Sequence, residues 1–269
     1  MKKKPVRIFN RFVKRDDCRI YVIGYKPCPM PDNALMTPIE AGAALHDTHF
    51  TGIRDDMGDN ISKLNPVYCD LTATYWINKN HPTTLKYLGQ CQYSKLLPLK
   101  QDRDFDKIFK DYNCIAAKPL SCKELVGNFV RNQFIYWHGE KTIEIVQHII
   151  YEKFPEYADA WDTYVNNGCL IFAGAGYVLK TEDYHEWCRF LFGVCDELFK
   201  AYGGSVEAVH AEIHRQIDSG EFEDRLQDGR TVFYQGLVMG FVAERLFTAF
   251  VQKLGNIYFV DYDYRQHIY

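Results

Sequence analysis

The chain lacks the cysteine spacings that hold zinc or carry redox chemistry. Its nine cysteines, at 18, 28, 69, 91, 114, 122, 169, 188 and 195, are odd in number and form no short pair. Several stand in apolar runs, where a thiol acts as a small hydrophobe, and such usage suits a reducing compartment. No apolar run nears the ~20 residues that span a bilayer. No signal-peptide pattern opens the chain, so the expected location is cytoplasmic. Cations are not in excess: the net charge of −3 excludes a general nucleic-acid binder, whose affinity comes from cations on phosphates. Gly168, Gly174 and Gly176 lack the lysine of a phosphate loop, and no nucleophile-elbow serine occurs. His210 and His214 share a helix face without the metalloprotease order and read as exposed histidines. There is no repeat, low-complexity stretch or linker.

What is present describes a globular chain of 269 residues, 47% hydrophobic and 25% charged. One domain over 18–269 is expected, after a basic N-terminal extension over 1–17. That extension interleaves Lys2, Lys3, Lys4, Arg7, Arg11, Lys14 and Arg15 with Ile8, Phe9, Phe12 and Val13. Such a segment suits either solvent or an anionic membrane surface, giving peripheral attachment to the inner membrane as a second expectation. Aromatics reach 15%, which reads first as core and second as stacking surface.

Cys18–Tyr25, Tyr87–Tyr93 and Cys114–Lys118 read as strands, and the apolar Cys169–Leu179 as a central strand. Thr37-Pro38-Ile39-Glu40 has the form of a capping box and predicts a short helix, as do Ser121 and Glu124. Asn65-Pro66 opens a helix to about Asn80, and Thr181 caps a long one stopped by Gly203-Gly204. Helices near 205–218 and 237–253 and a strand at Ile257–Val260 complete the pattern. The alternation predicts an α/β fold with a mostly parallel sheet, flanking helices and a helix-rich second half, its ligands beyond the carboxyl ends of the strands.

The segment Arg54-Asp55-Asp56-Met57-Gly58-Asp59-Asn60 is dense in carboxylates beside one cation. It suits ribose and sugar hydroxyls, a divalent ion or a diphosphate, and equally a solvated turn. With Ile61-Ser62 it reads R-D-D-x-G-D-N-I-S. Asn65-Pro66-Val67-Tyr68-Cys69-Asp70-Leu71-Thr72, Tyr75-Trp76 and Lys79-Asn80 follow, and Gly240-Phe241-Val242-Ala243-Glu244-Arg245-Leu246 stands near the end. These blocks resemble a bacterial family long catalogued as a domain of unknown function and treated as a glycosyltransferase in capsule, exopolysaccharide and O-antigen gene clusters. The chain departs from it at Gln92-Tyr93-Ser94-Lys95-Leu96-Leu97, where the family has H-Y-R-R-Y-F. It departs again at Ala175 and Leu237, where the family has asparagine and arginine.

The resemblance implies a GT-A-like nucleotide-binding fold and a hexosyltransferase-like enzyme. The implied donor is a nucleotide-diphosphate sugar, a UDP-sugar first, and the implied acceptor a glycan or lipid-linked glycan. Glu244 and Asp56 are the candidate catalytic carboxylates. Tyr25, Lys26, Arg54, Asp55, Asp59, Asn60, Tyr93 and Lys95 are the candidate donor-binding residues. No Asp-x-Asp follows the third strand, so no metal ligand is assigned and Arg54, Lys26 and Lys95 are the candidate diphosphate partners; a divalent ion stays open. Two alternatives stand beside the enzyme. One is a weak or inactive relative that binds nucleotide sugar or glycan for another transferase. The other is an interaction protein held at a membrane by its basic start.

Overall fold

The structure is a computed structural model that describes residues 17–30, 32–82, 84–119, 130–165, 170–171, 173–221, 231–261 and 263–264. The basic extension up to residue 16, the Ser121/Glu124 box and Cys169 lie outside the described residues. Among the described residues, eight strands form one sheet: β1 (Cys18–Gly24), β2 (Met36–Glu40), β3 (Tyr87–Gln92), β4 (Lys95–Leu96), β5 (Cys114–Ala117), β6 (Tyr177–Lys180), β7 (Ile257–Val260) and β8 (Asp263–Tyr264). The order is β2-β1-β3-β6-β5-β7, with β4 between β3 and β8. β1 is parallel to β2 and β3, and β5 to β7, while β6 runs antiparallel to both β3 and β5. The α/β class with flanking helices is as expected; the sheet is mixed and not mostly parallel, because β6 enters it in reverse between β3 and β5.

Strand alternation sets the two layers. Ile20 and Val22 face a small core with Met36, Phe105 and Val178. Tyr21 and Ile23 face the main core, built with Trp76, Leu88, Trp187, Leu191 and Phe247. The main layer carries α1 (Asn65–Tyr68), α2 (Leu71–Asn80), α4 (Val130–His138), α5 (Lys141–Lys153), α6 (Thr181–Ala201), α7 (Val206–Asp218), α8 (Thr231–Gly236) and α9 (Val238–Leu254); α3 (Phe105–Ile108) belongs to the small core.

Four expectations are corrected. Thr37–Glu40 is not a helix start but the edge strand β2, where Pro38 is tolerated beside Val22. Glu40 turns its carboxylate to the backbone N–H of Phe50, 3.1 Å away, and not to a helix end. The helix over 65–80 is broken at Cys69, whose φ of 54° is unusual for a residue with a side chain. Within Cys169–Leu179, the described strand begins only at Tyr177, after a 3-10 turn over Ala173–Ala175 and Gly176 at φ 106°. Thr181 opens α6, but its hydroxyl donates to the carbonyl of Leu85 (2.6 Å) instead of capping the helix.

Candidate active site

The parallel register brings the carboxyl ends of β1, β2 and β3 level: Gly24 pairs with Glu40 and Ile23 with Gln92. Beside the end of β3 lies a cavity of about 620 Å³, within the range of small-molecule sites. Two chain features aim side chains into it. The break at Cys69 turns Asp70 inward, and the Cys69 carbonyl is held by Asn65 Nδ2 (2.6 Å) and Thr72 Oγ1 (3.1 Å). From α9 come Glu244 and Arg245, one turn after Phe241.

A polar relay runs along one wall. Lys95 Nζ donates to Gln92 Oε1 (2.7 Å), and Gln92 Nε2 donates to Asp70 Oδ2 (2.8 Å). Gly174 packs on this amide: a Cβ there would come within 3.0 Å of the Gln92 side chain. On the α9 side, Arg245 is fully buried and bonds Glu244 Oε2 (3.0 Å), the Phe241 carbonyl (2.8 Å) and Gln133 Oε1. Two carboxylates and two cations therefore share the cavity.

Burial dominates the proton affinities. It pushes Glu244 up to about 7, against the opposing pull of Arg245 and Lys95, with Asp70 adding to the rise. Burial likewise raises Asp70, opposed by the Gln92 hydrogen bond and by Lys95. It lowers Lys95, opposed by Glu244 and Asp70. The Cys69 thiol is pushed up by burial and the nearby Asp70, which removes it as a nucleophile near neutrality. His138 is pushed down to about 3 by burial and then by Arg245; it is a neutral ring stacked on Phe241 at 4.0 Å. A carboxyl titrating near 7 suits proton transfer, and a fixed ammonium beside it suits charge developing on an oxygen.

The sequence candidates fall into three groups. Glu244 and Lys95 meet in the cavity. Tyr25, Lys26 and Tyr93 cluster beyond β1 and β3: the two phenol oxygens are 2.9 Å apart, and Lys26 Nζ lies 5.8 and 5.9 Å from the two rings. Arg54–Asn60 forms a compact loop that does not line the cavity. Asp55 is buried and accepts from the backbone N–H groups of Gly42 (2.8 Å) and Ala43 (3.0 Å) and from Ser62 Oγ (2.6 Å). Gly42 has φ 68°, and a Cβ would strike Asn65. Arg54 Nε pairs with Asp56 (3.0 Å), and Asn60 Nδ2 donates to the carbonyls of Asp56 and Gly58. Asp59 accepts from Tyr75 OH (3.2 Å), while Asn80 and Trp76 donate to the carbonyls of Asp59 and Met57. The signature thus folds a loop and fastens it to α2.

Asp70, Gln92 and Arg245 were absent from the sequence candidates. Asp70 stands inside the Asn65–Thr72 block that carries the resemblance, which is the signal that could have found it. Gln92 was visible only as a departure. Of the other departures, Ala175 is buried in the 3-10 turn and Leu237 lines the cavity. Among the described residues, no group of three or more His, Cys, Asp or Glu is placed to hold a metal ion. Among them too, no helix is long and apolar enough to cross a membrane.

Comparison with known proteins adds three findings. The model of a family described as a domain of unknown function, DUF4422, matches residues 19–212. The chain is also similar to the apo structure of the bifunctional glycosyltransferase WbbM, with a TM-score of 0.66 and 21% identity. That likeness covers 92% of this chain but 45% of WbbM, so the chain spans less than half the length of that structure, and what the two share is the fold. No match emerges among curated proteins.

Proposed function

We propose that this chain, which belongs to the DUF4422 family, is a glycosyltransferase that moves a hexose from a nucleotide-diphosphate sugar, a UDP-sugar first, onto a surface polysaccharide acceptor of the capsule, exopolysaccharide or O-antigen kind. The observation that carries the proposal is the meeting of Glu244, Lys95 and Asp70 in one cavity at a strand end of a glycosyltransferase-like fold, where burial pushes the Glu244 carboxyl up to about 7.

In this reading an acceptor hydroxyl gives its proton to the Glu244 carboxylate. Its oxygen bonds to the anomeric carbon of the donor sugar. The bond from that carbon to the diphosphate breaks, and the electron pair leaves with the diphosphate. Lys95 neutralises the departing charge, held in place by Gln92 and Asp70. Arg245 keeps part of the Glu244 population ionised despite its burial. Asp70 and Glu244 alone are a thin ligand set for a hard cation, and an ammonium already stands beside them; transfer is proposed to be metal-independent. Tyr25, Lys26 and Tyr93 form a stacking and charge cluster suited to the nucleotide, and Asp55 orders the loop that flanks it. The role of Arg54, Asp56, Asp59 and Asn60 in this reading is to keep that loop shaped.

The test is a ligand panel followed by turnover. UDP, GDP, dTDP and CMP are screened by thermal shift, where saturation at 100 times Kd stabilises by ~2.7 kcal/mol. The matching nucleotide sugars are then assayed for nucleotide release. A thermal shift with release supports the transferase. A shift without release from any donor, with or without glycan, points to the binding-only relative. No shift with any nucleotide defeats the proposal.

A further inference from the structure

The cavity has two unlike walls. One carries Asp70, Lys95 and Glu244. The other is aromatic, built from Trp137, Tyr234 and Phe241, with His138 stacked behind them. Tyr234 and Phe241 have ring centroids 5.0 Å apart. Tyr234 remains 38% exposed and its neighbour Phe233 62% exposed, both within the short helix α8. The wall is fastened from behind. Gln235 Nε2 donates to the Trp137 carbonyl (2.9 Å), and Gln235 Oε1 meets His138 Nδ1 at 2.7 Å. Gly236 packs so closely on His210 that a Cβ would lie 2.5 Å from the ring.

We infer that this aromatic wall is the acceptor subsite, and that its occupant is a pyranose ring laying its apolar C–H face on Tyr234 and Phe241. The inference rests on the transferase reading for what happens next, but its geometry stands alone. Phe241 precedes Glu244 by three residues on α9, ~4.5 Å along the helix axis. A pyranose is about as wide as one helical turn is long, ~5 Å. A ring seated on Phe241 therefore presents an edge hydroxyl to the Glu244 carboxyl. The diphosphate belongs beside Lys95, among the polar residues that line the cavity. Among the described residues, the cation nearest the aromatic wall is Arg245, and its charge is engaged by Glu244, Gln133 and a backbone carbonyl, behind Phe134. A sugar face is neutral, and an aromatic ring with a phenol at its edge suits a ligand that is apolar on its face and hydroxylated at its rim.

A nucleobase also stacks on tyrosine, so the experiment must separate the two. Methyl β-D-galactopyranoside, methyl β-D-glucopyranoside and methyl α-D-mannopyranoside are titrated by saturation-transfer NMR against the wild-type chain, Tyr234→Ala and Tyr234→Phe. UDP and GDP are titrated in parallel, with circular dichroism to verify folding. The expected result is binding of at least one glycoside, weakened about tenfold by Tyr234→Ala and kept within twofold by Tyr234→Phe, while nucleoside-diphosphate affinity moves less than twofold. If Tyr234→Ala weakens UDP or GDP instead, the wall is a base subsite and the inference is overturned. Absence of glycoside binding to the wild type, or equal binding by all three proteins, overturns it also. Failure of the transferase reading is seen elsewhere, in the absence of nucleotide release, and leaves these binding curves readable.

Discussion

Replacing Glu244 by glutamine separates the chemistry of that carboxyl from its burden on the fold. Its affinity for protons is raised from the ordinary 4.5 to about 7, chiefly by burial. Between these values the folded chain holds a proton that the unfolded chain has lost. The stability this provides is complete below pH 4.5 and disappears as pH rises through about 7. At 1.36 kcal/mol per unit, the whole effect is about 3 kcal/mol. The side chain keeps 18% of its surface exposed, so this is an upper value. Glutamine mimics the protonated form at every pH. The advantage of Glu244→Gln over the wild type should therefore grow by up to about 3 kcal/mol between pH 4.5 and pH 8. In a chain of this size that is roughly 2–4 °C in Tm per kcal/mol. Urea unfolding followed by tryptophan fluorescence at several pH values measures it directly. A constant difference between the two proteins, or one that shrinks as pH rises, refutes the claim that a buried, reluctant carboxylate stands here. Turnover should move oppositely, falling by about 10²–10⁴ as expected when a general base is removed.

Lys95→Met keeps the aliphatic stem and removes the ammonium; nucleoside-diphosphate affinity should drop about tenfold or more, with nucleoside affinity nearly unchanged, by calorimetric titration. Asp55→Ala strands two backbone N–H groups and a hydroxyl in a buried site, and should cost roughly 3 kcal/mol in urea unfolding through loss of the 42–62 loop. His138 is held down to about 3, so its own contribution to stability is withdrawn as pH falls below 6.5, by at most about 5 kcal/mol towards pH 3 and against the gain from Glu244; the stability of His138→Phe, which keeps the stack on Phe241, relative to the wild type should therefore grow as pH falls over that range. EDTA should leave turnover largely intact, and a loss restored by manganese or magnesium would reassign Asp70 and Glu244 as ligands.

The sequence disclosed most where local and tertiary preferences agree. β1 alternates between two cores, α6 and α9 carry long apolar faces, and each appears within a residue or two of its expected bounds. It misled where tertiary contacts override a local pattern. Thr37-Pro38-Ile39-Glu40 has every mark of a helix start, yet pairing with β1 and the hydrogen bond from Phe50 hold it extended. The cavity was half legible. Glu244 stands in a motif that carries the resemblance, and Lys95 in the segment where the chain departs from it. Asp70 stands in a resembled motif too, but its place in the cavity follows the break at Cys69, which no local pattern announces. The densest motif, Arg54–Asn60, suggested ligand chemistry. Most of its polar atoms are taken by the loop itself and by α2, a use that composition does not distinguish from binding.

The central claim is that Glu244 takes a proton from an acceptor hydroxyl while a nucleotide-sugar bond breaks. The most direct measurement is the rate of nucleoside-diphosphate release from the donor selected by thermal shift, with a glycan acceptor present, for the wild type and Glu244→Gln between pH 5.5 and 8.5. Wild-type turnover should rise through an apparent pKa near 7 and then level, and Glu244→Gln should be slower by at least a hundredfold with donor affinity retained. Release by Glu244→Gln at the wild-type rate, or a wild-type profile flat across pH 7, would contradict it.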